Sequence, residues 1–248
     1  MVIYILWLRQ IKRYLRSKAR IVGSLGQPIL FLVALGYGFG PVFAKAGGGN
    51  YIQFLAPGII AMGILFTSVF SGIEIIWDKQ FGFLKETLVA PVSRFEIMIG
   101  RTLGGATVAL MQGVLIFIIS LFIGLHVPAF HLVLLALLFG LLIALLFTAL
   151  GTAIASILDD MQGFQLIINF LVMPLFFLSG ALFPLNGAPS VLTDIAKFNP
   201  LSYGIDGIRT TLSGQVSNFG LSTDLIVLTV IVIIFLALGS YLFSKIQI

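Results

Sequence analysis

The sequence predicts an all-α membrane protein. Hydrophobic residues make up 59% of the 248-residue chain and charged residues only 9%, too few charges to solvate a water-soluble domain of this size. Long stretches such as 102–158 carry no charge. A helix rises about 1.5 Å per residue, so roughly 20 apolar residues cross the ~30 Å hydrocarbon core. The apolar runs are continuous rather than alternating, which favours helices over β-barrel strands.

We predict six transmembrane helices, near residues 21–43, 53–77, 102–125, 132–157, 163–184 and 223–244. The longest uncharged stretch is divided at His126-Val127-Pro128. With the N-terminus inside, the cytosolic segments hold 11 Lys and Arg residues and the outer segments hold 3. This positive-inside bias predicts that both termini are cytosolic. Residues 1–248 then form one transmembrane domain.

Residues 1–20 precede the first predicted span and are strongly basic. Wound as a helix, residues 3–20 gather aromatic and aliphatic side chains on one side. The basic side carries Arg9, Lys12, Arg13, Arg16 and Arg20. Such a helix is typical of the membrane surface plane, where anionic lipid headgroups, rather than nucleic acid, explain the net charge of +5. A simple interfacial anchor and a helix that also touches a partner protein both remain open.

The cytosolic segment 78–101 is unusually polar, because it holds seven of the chain's 23 charged residues. Residues 79–90 predict a short amphipathic helix that ends at Pro91. Ser93 followed by Glu96 is typical of a capping box that opens the third span. A rigid surface helix below two spans can receive force from a cytosolic motor. The alternative is a passive interfacial loop.

The external segment 185–222 is too apolar for a free loop. Ser190 is placed to cap a first short helix, and Asn199 a second one with Pro200 at its first position, ending before Gly214. Neither helix is long enough to span a membrane. We expect both to be re-entrant helices that dip into the outer leaflet, because helix formation satisfies their backbone there.

Motifs for chemistry are lacking in the sequence. There is no G-x-x-x-x-G-K-S/T, so the chain should not hydrolyse ATP alone, and no H-E-x-x-H or G-x-S-x-G. His126 and His131 fit headgroup-level histidines better than a metal site, and Asp159-Asp160 fit a solvated turn better than a catalytic pair. We therefore assign no catalytic residue, no metal site and no substrate contact.

Apart from Asp224 at the outer end of the sixth, the predicted spans hold a single charged residue, Glu74. Ion-coupled transporters usually carry several such groups deep in the membrane, so the energy source is expected outside this polypeptide. Small residues at helical spacing (Gly100, Gly104, Gly105, Ala109 and Gly113) predict close helix packing. That packing could be within the chain or across a dimer.

Two separated stretches resemble a known family. The first is KETLVAPVSRFEIMIGR at 85–101, and the second is FLSGALFPL at 177–185 followed by NPLSYGIDGIR at 199–209. With the predicted span order, the surface helix and the missing nucleotide site, the chain resembles the permease subunits of type-2 ABC exporters. That family includes exporters of drugs, nodulation oligosaccharides and surface polysaccharides.

The resemblance implies a homodimer of permeases in a prokaryotic inner membrane, joined to separate ATP-binding subunits. ATP and Mg would be bound by those partners, with no cofactor on this chain. The cargo would be an amphipathic drug, a lipid or a lipid-linked glycan, moved outward. The implied residues that dock on the ATPase subunit are Lys79, Phe83, Leu84, Lys85, Glu86, Leu88 and Arg94. The implied outer gate residues are Pro184, Asn199, Pro200, Tyr203, Asp206 and Arg209.

Two other functions stay open from the residues themselves. One is a membrane channel or scaffold with no ATPase partner. The other is an integral membrane enzyme that acts on lipid, which ranks last because no acid-base cluster is evident at headgroup depth.

Overall fold

The computed structural model describes residues 1–84 and 92–245, and these are helical with no strand among them. The helices are α1 Val2–Arg16, α2 Lys18–Lys45, α3 Tyr51–Phe70, α4 Ile73–Gln80, α5 Arg94–Ile123, α6 Phe130–Ile157, α7 Met161–Phe177, α8 Ser190–Phe198, α9 Pro200–Ser213 and α10 Leu221–Ser244. The all-α prediction is confirmed.

The bundle is built around α3, α5 and α6, which pack on one another. Helix α10 packs on α5 and α6, α2 packs on α3, and α9 lies across α3, α6 and α10. Within the described ranges, five helical segments are long and apolar enough to cross a membrane: α2, α3 with α4, α5, α6 and α10. Helix α7 is apolar but shorter, at 17 residues.

The predicted fifth span, 163–184, is wrong at its C-terminal end. Helix α7 stops at Phe177, and residues 178–189 form turns with Gly180 at φ +75°. Only glycine adopts such a backbone readily, so the helix ends there. The apolar run continues past the turn because its residues pack on other helices: Ala181, for example, is fully buried.

The predicted second span, 53–77, is interrupted between α3 and α4. The interruption lies where Gly72 and Gly151 of α6 meet backbone to backbone. A Cβ on Gly72 would overlap the carbonyl oxygen of Gly151, and a Cβ on Gly151 would overlap that of Val69. Two glycines are therefore what lets these helices approach so closely.

Helix α1 ends at Arg16, shorter than the predicted 3–20, because Ser17 leaves the helical region. It packs along α5, where Gly100 and Gly104 leave room for its backbone and side chains. Further along, Trp7 Nε1 donates to Thr107 Oγ1 at 2.9 Å and Tyr14 Oη donates to Gln112 Oε1 at 2.6 Å. The small-residue stripe therefore serves packing within the chain.

The helix predicted for 79–90 is wrong at its start. Lys79 and Gln80 end α4, and a turn follows in which Gly82 has φ +79°. Lys85, Glu86 and Leu88 lie outside the described residues. The capping box is confirmed, since the Glu96 amide donates to Ser93 Oγ at 3.2 Å and the Ser93 amide donates to Glu96 Oε2 at 3.3 Å.

The two short helices predicted after the fifth span are present as α8 and α9. Asn199 caps α9, its Oδ1 accepting from the Leu201 amide at 3.0 Å, and Gly214 ends that helix at φ +65°. The prediction of Ser190 as a cap is wrong. Ser190 is the first helical residue, and Pro189, which has no side-chain donor or acceptor, occupies the cap position.

We expect Gly151→Ala to destabilise the protein by about 1–3 kcal/mol, because the added methyl group overlaps the α3 backbone and neither helix can move away freely. Gly38→Ala is the matched control, since Gly38 also lies inside a helix but has nothing within 4 Å of its Cβ position. Thermal unfolding in detergent would measure both. Equal melting temperatures for the two variants would show that the close approach is not required.

Candidate functional site

The bundle has two ends that carry different polar groups. The α4 end holds α4, the start of α5, the 158–160 turn and the C-terminus of α10, joined by contacts such as Arg94 Nη1 to the Ser244 carbonyl at 2.8 Å. The α9 end holds α9 and the turns around residues 46–50, 124–129, 178–189 and 214–220. Contacts there include Ser213 Oγ to the Gln53 carbonyl at 2.6 Å.

At the α4 end, Glu74 is a buried carboxylate, 3% exposed. It lies 3.5 Å from Arg13 of α1 and 3.1 Å from Arg20 of α2. The two guanidinium groups remain partly exposed, so they bring charge to the carboxylate without full desolvation themselves. Glu74 thus ties three helices together at one point.

One turn further along α4, Asp78 forms a second ion pair. It accepts a hydrogen bond from Arg101 of α5, and both residues are buried. Arg9 of α1 lies 3.9 Å from the same carboxylate. A buried pair of this kind holds its geometry strictly, because losing one partner would leave an uncompensated charge.

Lys79 faces the interior of the chain. Its ammonium group donates to the carbonyls of Ser156 and Leu158, each at 2.9 Å, and lies 3.1 Å from Asp159. These carbonyls belong to the last turn of α6 and the residue that caps it, where backbone acceptors have no intrahelical donor. Lys79 therefore ties α4 to the end of α6.

The Asp159-Asp160 turn has separate uses for its two carboxylates. Asp159 forms an ion pair with Lys79, and Asp160 caps α7 by accepting a hydrogen bond from the Gly163 amide at 2.6 Å. The two carboxylates do not meet at one point. This agrees with the prediction of a solvated turn rather than a catalytic pair.

The other predicted docking residues are placed differently from one another. Leu84 is buried, 3% exposed, whereas Phe83 is 53% exposed. Arg94 opens α5 and contacts the C-terminal turn of α10. Docking on an ATPase subunit stays a prediction for all seven residues, three of which the structure does not describe.

At the α9 end, Arg209 is buried and donates hydrogen bonds to three backbone carbonyls. It donates to Phe54 at 3.2 Å, Gly180 at 3.0 Å and Ala181 at 3.2 Å. Its guanidinium also lies 4.0 Å from the centroid of the Phe54 ring. One cation therefore fastens the turn after α7 to the start of α3.

Asp206, one turn before Arg209, fastens a second turn. Its carboxylate accepts from Ser217 Oγ at 2.7 Å, from the Asn218 amide at 2.8 Å and from the Phe219 amide at 3.1 Å. Asn218 Nδ2 adds a bond at 2.7 Å. A carboxylate with four donors holds the 214–220 turn against α9.

The remaining predicted gate residues lie around the same end. Asn199 Nδ2 donates to the Leu175 carbonyl at 2.6 Å, and Tyr203 Oη donates to the Lys197 carbonyl at 2.7 Å. Pro200 begins α9, and exposed Pro184 borders an apolar cleft of about 400 Å³ beside α2. These contacts hold α8, α9 and the adjoining turns in place, and a gate role stays a prediction.

Residues 1–84 and 92–245 contain no group of three or more His, Asp or Glu side chains arranged to hold a metal ion. His126 lies at the α9 end, where its amide donates to Gln53 Oε1 at 2.9 Å. The polar groups described above thus hold helices and turns together.

Sequence reasoning identified Glu74 as exceptional but missed its partners and the Tyr14–Gln112 contact. The sequence does contain a signal for the partners of Glu74. An acid in an apolar run needs a counter-charge, and residues 9–20 hold the largest group of cations predicted on the same side of the membrane. No comparable signal marks Gln112, because an amide in a span has many possible partners.

Comparison with known proteins supplies the family. Residues 1–213 match the model of the ABC-2 type transporter family. The chain is 31% identical to the putative transport permease ycf38 of Cyanophora paradoxa, across 93% of this chain and 83% of that protein. It is 30% identical to nodulation protein J of Rhizobium leguminosarum bv. viciae, across 79% and 76%, and 28% identical to the inner membrane transport permease YadH of Escherichia coli K12, across 93% and 90%. The chain belongs to the ABC-2 type transporter family and is a multi-pass membrane permease.

Proposed function

We propose that this chain is the transmembrane subunit of an ATP-driven ABC exporter. Two copies would form the translocation path, and two separate subunits would bind ATP and Mg and supply the energy. Family membership supports an ATP-binding partner. The absence of a P-loop from the sequence is consistent with ATP hydrolysis on another chain.

The observation that carries the proposal is the set of ties on α4. This eight-residue helix leads directly into the segment expected to meet the ATPase subunit. Glu74 links it to α1 and α2, Asp78 links it to α5, and Lys79 links it to α6. A displacement applied just beyond α4 would therefore reach four other helices at once. A passive loop between two spans would need none of these links.

The membrane topology that we propose has six spans with both termini cytosolic. Helix α7, at 17 residues, is about 26 Å long and would cross most of a ~30 Å core. This topology places the α4 end in the cytosol, where the positive-inside bias favours Lys and Arg. The α9 end then faces outward with the two re-entrant helices α8 and α9.

A second copy of the chain is proposed to cover the outer faces of α2 and α7. Both helices contact α3 on one side and leave large apolar side chains uncovered on the other. The most exposed are Val22, Leu30, Tyr37 and Val42 of α2 and Leu166 and Phe170 of α7. Lipid or a second permease would bury these faces equally well, and the family architecture favours the second permease at part of them.

The proposed cargo is amphipathic: a drug, a lipid or a lipid-linked glycan. The apolar and aromatic composition of the spans supports this class. Export, rather than uptake, follows from the family resemblance.

Reconstitution tests the proposal against a channel or scaffold. The purified chain in proteoliposomes should show no ATPase activity and no cargo movement. Addition of the ATP-binding subunit should produce both, dependent on Mg-ATP. Cargo or ion flux through the chain alone, unaffected by ATP or by any partner, would instead establish the channel, and lipid turnover by the chain alone would establish an enzyme.

Glu86→Lys combined with Leu88→Asp should abolish assembly with the ATPase subunit, because it reverses one charge and removes one apolar contact in the proposed docking segment. Co-purification and transport would measure the loss. A matched control is Asp194→Lys with Val191→Asp, which makes the same types of change at exposed positions of α8. Fully coupled transport by the first double variant would contradict the docking role.

Glu74→Gln should lower transport per ATP hydrolysed while the subunits still assemble, because it removes the charge that holds α1 and α2 to α4. Hydrogen exchange in residues 2–16 should also become faster. Asp194→Asn is the control, since it breaks the exposed Asp194–Lys197 pair, which is worth about 0–1 kcal/mol. Unchanged hydrogen exchange in residues 2–16 and unchanged transport per ATP hydrolysed in Glu74→Gln would contradict a role of Glu74 in transmitting force.

Arg209→Lys should loosen the turn at 178–189, because a lysine ammonium cannot serve three divergent carbonyls as a guanidinium does. Each hydrogen bond to a charged group is worth about 1.5–3 kcal/mol. We expect faster hydrogen exchange in this turn and reduced transport, with ATPase assembly retained. Lys197→Arg, an exposed charge-conserving change nearby, should alter neither quantity. Equal exchange in both variants would argue against Arg209 as the fastening residue.

A further inference from the structure

A large cleft opens at the α4 end, between α1 and the turn that follows α4. Its volume is about 880 Å³. Helix α1 lines one wall with Arg9, Lys12, Arg13 and Arg16, and the opposite wall includes Trp77 and Phe81. Arg13 lies over the Trp77 ring, 5.7 Å from its centroid, and the other three cations line a space large enough for a charged headgroup.

The charges of the cleft do not balance. Asp78 is the one carboxylate among its described lining residues, and it is already held by Arg101. Arg13 is paired with Glu74, and Arg9 lies within reach of Asp78. Lys12 and Arg16 are exposed and have no carboxylate within ion-pair distance in the described part of the chain. An anion entering the cleft would therefore be attracted without first breaking an ion pair.

The chemistry of these two side chains suits a phosphate group. The Arg16 guanidinium can donate two parallel hydrogen bonds to phosphate oxygens, and the Lys12 ammonium offers a compact positive charge. They lie four residues apart on α1, so both project on the same side of the helix. This spacing allows one phosphate group to contact both.

A second face of α1 distinguishes a lipid from a soluble anion. Ile3, Trp7 and Tyr14 face α5, and Arg16 faces the cleft. Between these faces lies an apolar flank on which Tyr4 is 59% exposed and Leu15 is 52% exposed. An amphiphile could place its headgroup in the cleft and its acyl chains along this flank. Neither a free phosphate nor an acidic protein surface would need the flank.

We propose that this cleft binds the phosphate-bearing headgroup of an anionic lipid, with Lys12 and Arg16 as its main ligands and the Tyr4–Leu15 flank against the acyl chains. The site requires only the membrane and this chain. Its test therefore needs neither the ATPase partner nor the cargo, although Phe83, one of the predicted docking residues, also lines the cleft.

The experiment measures lipid binding to the purified full-length chain in a non-ionic detergent. Native mass spectrometry would follow phosphatidylglycerol, with phosphatidylcholine as the lipid without net charge and glycerol 3-phosphate as the headgroup without chains. We expect preferential binding of phosphatidylglycerol. Lys12→Gln with Arg16→Gln should weaken it about 30-fold, because each cation near a membrane surface is worth about 1 kcal/mol.

Three matched variants make the result specific. Lys12→Arg with Arg16→Lys conserves charge and should retain binding within a few-fold. Lys45→Gln removes an exposed charge at the α9 end and should leave binding unchanged. Tyr4→Ser with Leu15→Ser should weaken phosphatidylglycerol while leaving any binding of glycerol 3-phosphate unaltered. Melting temperatures check folding, and Lys12→Gln alone serves if the double variant unfolds.

Three outcomes would overturn the proposal. The first is unchanged phosphatidylglycerol binding in the Lys12 and Arg16 double variant. The second is binding of glycerol 3-phosphate as tight as that of the lipid, which would identify a site for a soluble anion. The third is a double variant that binds lipid normally but fails to assemble with the ATPase subunit, which would identify the cleft as a protein contact.

Discussion

The arrangement of the α4 end depends on one close approach, where Gly72 and Gly151 bring the backbones of the α3–α4 junction and α6 into contact. Any side chain at either position would push the helices apart. Because the junction is held there, α4 starts at a defined place, and Glu74, Asp78 and Lys79 each meet a different partner helix. The ties that we assign to force transmission are thus consequences of a contact between two residues without side chains.

The two ends of the bundle use buried charge in different ways. At the α4 end, carboxylates of one helix meet cations of others, so the ties join helix to helix. At the α9 end, Arg209 and Asp206 meet mainly backbone carbonyls and amides, so the ties join one helix to turns. Buried charges tolerate little displacement before losing their partners. Both ends are therefore held as assembled units.

Helix α1 combines roles that are usually separate. One face packs on α5 through the small-residue stripe, a second is basic and lines the cleft, and a third exposes apolar side chains. An amphipathic helix that served only as an anchor would not need the buried Tyr14–Gln112 hydrogen bond. Since Arg13 of the same helix also contacts Glu74, lipid bound in the cleft would lie next to the ties on α4.

The sequence by itself determined the features that depend on local or one-dimensional properties. Continuous apolar runs identify the helices, Ser93 with Glu96 and Asn199 with Pro200 identify two helix starts, and two motifs indicate the family. Only the tertiary structure decided that Lys79 points inward, that Leu84 is buried and that α3 and α4 are separate helices. The first and the last of these outcomes depend on α6, which is distant in the chain. Periodicity reports which face of a helix is apolar, but not which helix, turn or lipid will cover it.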